Sequence, residues 1–232
     1  MGYATFASVT SFAKQTRAIA NVGAPWSLCA MAPQKYNTTI PLQTVRSFSG
    51  LLSPADGPFC SSLGSIRCLP TSFQWPEYSS EPCLPICQIN FKELSAIPVC
   101  LADIQYLWLF SPTRNGEILT PFEAQWPVIA ISHSNVNPVS PIRTLAEAKK
   151  LHWYPLSHET RSSAFTEPTS GLKLGGHPTF TQSDDPWTEN NSDQVLELDS
   201  AYFSPLEVLG DAAVLYLFRD PEGEFWTHTE SC

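Results

Sequence analysis

Leu101-Ala-Asp-Ile-Gln-Tyr-Leu-Trp-Leu-Phe110 is answered, 108 residues further on, by Leu209-Gly-Asp-Ala-Ala-Val-Leu-Tyr-Leu-Phe218. Five of the ten positions carry the same residue (Leu, Asp, Leu, Leu and Phe), where unrelated segments share roughly one, so the chain contains a duplicated unit. The match extends outward. Leu63-Gly-Ser65 answers to Leu174-Gly-Gly176, Gln88-Ile-Asn90 to Glu197-Leu-Asp199, and Asn115-Gly-Glu117 to Glu222-Gly-Glu224, at offsets of 111, 109 and 107 that drift as small loop deletions make them drift. In the first copy Ile104, Tyr106, Trp108 and Phe110 alternate with Leu107 and Leu109. A strand that is apolar on both faces is expected to be central and covered on both sides.

The 232 residues carry 21 prolines against 11 glycines, with 43% hydrophobic and 15% charged side chains. That composition favours short strands and stiff connections over long helices. Net charge is −9, unevenly spread: residues 1–60 sum to +3, 61–150 to −1 and 151–232 to −11. An acidic field of this size repels nucleic acid and steers basic partners. No run approaches the roughly 18 apolar residues of a membrane span.

Cysteines number seven, an odd count, and the first twenty residues hold no apolar run followed by a cleavage site, so reduced thiols in a cytoplasmic protein are expected. Residues 1–55 lack Asp and Glu and are rich in Ser and Thr, as transit peptides are, but their aromatic and proline content and sparse arginine argue against one.

Along the chain, residues 5–21 place Phe6, Val9 and Ala13 near one helical face, and 24–59 read as loops with one short strand at 39–42. Residues 85–91 alternate as a strand, with Ile86, Gln88 and Asn90 on one side and Cys87, Ile89 and Phe91 on the other. Ser140-Pro141 and Thr144-x-x-Glu147 are helix-start signals, predicting a helix over 141–151. The organisation that follows is an N-terminal helix and irregular segment packed on the core (1–60), repeat one (61–135), a connecting helix and loop (136–168) and an acidic repeat two (169–232).

The order Ser62-Leu-Gly64, Leu69-Pro70, Trp75-Pro76, Gln88-Ile-Asn90 and then the aromatic strand resembles the first half of the YwqG-like family, a bacterial domain of unknown function. Leu174-Gly-Gly-His-Pro178, Gln182 and Gly210-Asp211 leading into Leu215-Tyr-Leu-Phe218 are similar to its second half, so the resemblance covers about residues 60–228. Two departures stand out. Copy one has Gly64-Ser65 where the family tends to have two glycines, and Ala213 stands where a glycine usually follows; each turn must avoid positive φ or accept strain. The resemblance implies an α+β fold: two tandem β-rich repeats related by a pseudo-two-fold axis, mixed sheets with a few flanking helices, and the aromatic strands central in a single compact domain. It implies no reaction.

Chemistry-bearing patterns are sparse. Cys83-x-x-x-Cys87 on a strand sets two thiols on one face about 13 Å apart, too far to share an ion, and neither C-x-x-C nor H-x-x-x-H occurs, so no metal and no cofactor are expected. Arg67, Arg114 and Arg143 are too scattered to make the seven tryptophans a nucleic-acid platform. His133, His152, His158 and His228 fall on expected loops or helix ends. The leading expectation is a non-catalytic, cytoplasmic immunity (antitoxin-type) protein without nucleic-acid or membrane partners. It uses Asp184, Asp185, Glu189, Asp193, Glu222 and Glu224 to occlude a basic toxin such as a nuclease, and the resemblance adds a family whose members often lie near toxin genes. The alternative is an enzyme or small-ligand protein with a pocket between the repeats, using His177 beside the Gly175-Gly176 turn. A structural scaffold is the third reading.

Overall fold

The two aromatic stretches form strands β7 (Tyr106–Ser111) and β15 (Val214–Arg219) of one ten-stranded sheet. A computed structural model describes residues 44–95, 97–132, 135–140, 143–146, 148–156, 171–176, 178, 192–210 and 212–231, all within one compact unit, Thr39–Cys232. The expected N-terminal helix (5–21) and the strand at 39–42 lie outside these residues.

The chain enters the sheet with β1 (Thr44–Leu51), then β2 (Ser62–Leu63), β6 (Leu84–Asn90), β7 and β10 (Val128–Ile131). Between them come β3 (Cys68–Pro70), the β4/β5 pair (Glu77–Tyr78, Glu81–Pro82) and the β8/β9 pair (Thr113–Arg114, Glu117–Ile118). After β11 (Val136–Pro138), which pairs with β3, the sheet resumes with β12 (Lys149–Leu156), β13 (Leu172–Leu174), β14 (Asp193–Asp199), β15 and β16 (Phe225–Glu230). Across the sheet the order is β10-β7-β6-β2-β12-β1-β13-β14-β15-β16.

That order reads alike from both ends, and the hydrogen bonds repeat with it. Gly64 N–H donates to Ile86 O at 2.8 Å and Gly175 N–H to Val195 O at 3.0 Å; Phe91 N–H donates to Gln105 O at 2.9 Å and Ser200 N–H to Ala213 O at 2.8 Å. A bulge interrupts β6 between Pro85 and Cys87 and β14 between Gln194 and Leu196. Asn90 and Asp199 end these strands alike, each side chain accepting from the N–H two residues on, Lys92 at 3.1 Å and Ala201 at 2.8 Å, which starts a short 3-10 turn. At the centre, Val45 pairs with Leu174 as Lys149 pairs with Leu63, making β1 and β12 equivalents 104 residues apart. Their mutual ladder is centred on Phe48 opposite His152, a residue facing its own equivalent.

Leu107 and Leu109 of β7 join Leu215 and Leu217 of β15 in one large leucine-rich cluster. On the opposite face, Tyr106, Trp108 and Phe110 pack under Ile66, Cys68 and Leu69, whereas Val214, Tyr216 and Phe218 pack with Trp226. Near the sheet's two ends, Gln125 Nε2 donates to Phe225 O at 3.3 Å, and the Phe122 ring meets His228 edge-on at 5.9 Å.

Several expectations are corrected. The described fold is mostly β, not α+β with flanking helices and mixed sheets: every ladder is antiparallel, and the described helical pieces are 3-10 turns, the longest Ser204–Leu209. The aromatic strands are buried on both faces but lie next to the sheet edges, because loops and two-stranded hairpins supply the covering. The helix expected over 141–151 is replaced by a turn, with Leu145 N–H donating to Gly64 O and Ala148 N–H to Leu145 O, followed by β12. A lone helix of about eleven residues is marginal, and an eight-residue ladder with β1 outweighs local propensity. That same β1 occupies a stretch expected to be loop. Cys83 and Cys87 do not share a face: the β6 bulge shifts the alternation, so Cys83 joins the Trp108 cluster while Ile86 and Cys87 both join the leucine cluster.

Of the two family departures, Ser65 keeps out of positive φ where Gly176 adopts +84°, while Gly64 and Gly175 share about the same turn at +70° and +67°. The strain expected at Ala213 falls one residue earlier, at Ala212 (φ +48°).

Candidate functional site

The acidic half of the chain gathers carboxylates at one end of β14, β15 and β16. Asp193, the first residue of β14, sits opposite Arg219, the last of β15. A turn then closes tightly into β16: Gly223 N–H donates to Asp220 O at 3.0 Å, Asp220 N–H to Glu224 O at 2.9 Å, and Glu224 N–H to Asp220 Oδ1 at 2.8 Å. One residue into β16, Trp226 stacks on Phe218 at 4.4 Å and donates from Nε1 to Ser192 Oγ at 3.1 Å. Ser192, Asp220, Glu222 and Trp226 line an open cleft of about 330 Å³. Asp193, Glu222 and Glu224 are exposed around it.

Arg219 lies against this turn, yet its charge is engaged elsewhere. Nη1 stands 2.7 Å from Asp103 Oδ1 and 2.9 Å from Cys100 O, and Nη2 stands 2.9 Å from Asp103 Oδ2. The bidentate pairing holds the Asp103 carboxyl below its ordinary range. Asp193 moves the other way, because partial burial raises its pKa and Arg219 only partly offsets that.

In copy one the corresponding corner holds Trp75 and Glu81. Trp75 packs edge-on against Phe110 at 5.3 Å and donates from Nε1 to the carbonyl of Cys83, the equivalent of Ser192, at 2.8 Å. Beside it, Glu81 accepts from Asn115 N–H, Gly116 N–H and Thr113 Oγ1, so the turn equivalent to 222–223 is tied to the β4/β5 hairpin. Those backbone donors lower the Glu81 pKa.

Deeper in the sheet the two copies differ in polarity. In copy one Ser62, Gln88 and Trp108 are register partners. Gln88 is fully buried and satisfied: Oε1 accepts from Arg67 N–H, Cys68 N–H and Trp108 Nε1, and Nε2 donates to Pro58 O and Cys60 O. In copy two the same row is Lys173, Glu197, Tyr216 and His228. Lys173 Nζ lies 3.0 Å from Glu197 Oε2 with both side chains at most 2% exposed, and Gln194 Nε2 donates to the same oxygen at 3.2 Å. Burial first, then the Glu197 and Glu230 carboxylates, push the Tyr216 phenol far up. Lys173, Glu197 and Tyr216 are buried, and His228 is half-buried at the outer end of the row.

Of the six residues singled out from sequence, Asp193, Glu222 and Glu224 share one end of the sheet, while Asp184, Asp185 and Glu189 lie outside the described residues, as does His177. Asp220 was not singled out, although Asp-Pro-Glu-Gly is a turn signal that brings its side chain back to Glu224 N–H. His152 and His228 sit within β12 and β16, not at loop or helix ends; half-burial lowers the His228 pKa, and His133 and His158 lie outside the described residues. A second, smaller cavity of about 140 Å³ is bordered by Lys92, Asp103, Ile104 and Gln105. The described lining of each cavity comes from one repeat, not from the seam between repeats.

Among the described residues no three His, Cys, Asp or Glu side chains converge as a metal site. Five described cysteines are free thiols, and burial pushes Cys68 and Cys87 up to about 12 and Cys83 to about 11, the behaviour of packing residues rather than nucleophiles. No described helix is long and apolar enough to cross a membrane. No protein-family model matches the chain, and no curated protein matches it.

Proposed function

We propose that this chain is a non-catalytic binding protein whose acidic end docks a basic protein, in the manner of a cytoplasmic immunity protein that occludes a toxin such as a nuclease. The observation that carries this reading is the gathering of carboxylates at one end of repeat two: Asp220 and Glu222 line a cleft walled by Trp226, with Asp193 and Glu224 exposed beside it. A nuclease is basic where it holds phosphates, and a carboxylate-rim surface with an aromatic wall complements arginine and lysine side chains.

The test is affinity capture from the native host by the wild-type chain and by the variant D193K/E222K/E224K. The reading expects a basic protein bound by the wild type, weakened by salt and lost from the variant. Capture that is indifferent to both, or a partner without basic character, would overturn it.

A further inference from the structure

We propose that β1 is an exchangeable strand through which this chain pairs with a second copy of itself. The register equivalences match β1, β2, β6, β7 and β10 with β12, β13, β14, β15 and β16, member by member. Yet the first member of each series stands in the other's half. β1 takes its ladder partners from β12 and β13, and β12 in turn lies against β2. Each repeat therefore begins with a strand that completes its neighbour.

A ladder does not register which chain supplies its strands. The eight β1–β12 pairs and the three β1–β13 pairs are the same whether β1 belongs to this molecule or to another. Among the described residues, only the connection 52–61, between β1 and β2, need change. Residues 58–61 stay tied to β6, Glu93 and β12 by the Gln88, Asn90, Glu93 and Leu151 bonds, so the new path falls to residues 52–57, held, apart from turn bonds of their own, by Leu52 N–H to Ala148 O at a long 3.4 Å, the ion pair of Asp56 with Lys150 and the Arg67 bond to Ser53 O. The exchange already made between β1 and β12 inside one chain is two-fold and closed, so the same exchange between two chains ends at a dimer and does not propagate. The partner is a second copy, because its β1 carries the strand whose register with both β12 and β13 the fold already contains.

Two full-length preparations, one carrying Phe48→Cys and the other His152→Cys, are unfolded together under reducing conditions, refolded at high protein concentration and oxidised with oxidised glutathione. These positions face one another in the β1–β12 ladder, so a bond between the two introduced thiols reports whose β1 lies beside whose β12. The expected product has twice the chain mass and, by peptide mapping, joins the two preparations through those thiols. A dimer without that linkage, or monomer throughout, overturns the proposal. Should either variant fail to fold, wild-type copies with two different affinity tags give the second readout. A mixed-tag dimer that forms on joint refolding but not on mixing folded copies supports strand exchange; a dimer formed by simple mixing, or none at all, overturns it.

Discussion

Arg219 closes a two-pronged ion pair on Asp103, joining the end of the aromatic strand of copy two to the Leu-x-Asp stretch that precedes the aromatic strand of copy one. Ser111 occupies the position of Arg219 in copy one and turns its hydroxyl to Pro112 O. Copy one thus supplies no guanidinium in return.

Asp103 is 60% exposed and Arg219 23%, so solvent screens the pair. Asp103→Asn should lower stability by about 1 kcal/mol or less, with the difference shrinking in high salt. Because the Asp103 pKa is lowered in the folded state, the contribution is present above the unfolded carboxylate range and fades as pH falls through the folded value. Urea titrations of both proteins at low and high ionic strength check this.

The buried Lys173–Glu197 pair behaves differently. Removing one partner, as in Lys173→Met or Glu197→Leu, takes the opposite charge from the other in a nearly water-free site and should cost about 3 to 5 kcal/mol. The copy-one residues at these positions are Ser62 and Gln88, so the double substitution K173S/E197Q, which removes both charges of the pair, should recover much of that loss. Denaturant midpoints of the three variants decide it; a double variant as unstable as the singles would contradict the account.

Gly210 adopts φ +132°, and a Cβ there would sit 2.6 Å from Ser231 Cβ. Gly210→Ala should therefore destabilise by about 1 to 3 kcal/mol through backbone strain and the clash together. Adding Ser231→Gly should restore the steric part alone. Thermal melts of the single and double variants separate the two contributions.

Lys150, hydrogen-bonded at 2.9 Å, holds the Asp56 carboxyl down from 3.8 to about 2. Stability from this group is full above its unfolded pKa and is lost as pH falls from about 4 to about 2. Wild type should exceed Asp56→Asn in urea midpoint at neutral pH and converge on it near pH 2, with Lys150→Met showing a flatter acid limb than wild type.

Side-chain alternation and residue identity made the duplication and the doubly buried aromatic strands legible in the sequence. What stayed hidden depends on partners distant in the chain. Thr44–Leu51 is a strand because β12 and β13 flank it, and nothing in its own composition announces them. The segment before β12 has good local helix signals, yet the ladder with β1 decides its fate. The bulge that parts Cys83 from Cys87 arises from pairing with β7 and leaves no mark on local spacing. At the site, Glu222 and Glu224 are legible in the sequence as carboxylates of the acidic half, while Asp220 acquires its role only when the turn folds its carboxylate back on Glu224 N–H.

The meeting of Phe48 with its own equivalent, His152, gives the molecule an internal control. Matched ladder positions in the two halves are twins with equivalent strand partners and different neighbours: Gln88 has Glu197 and Trp108 has Tyr216. Identical substitutions at such twins hold the main-chain setting fixed and vary only the surroundings, so the difference between their effects measures how far the halves have diverged since they were copies.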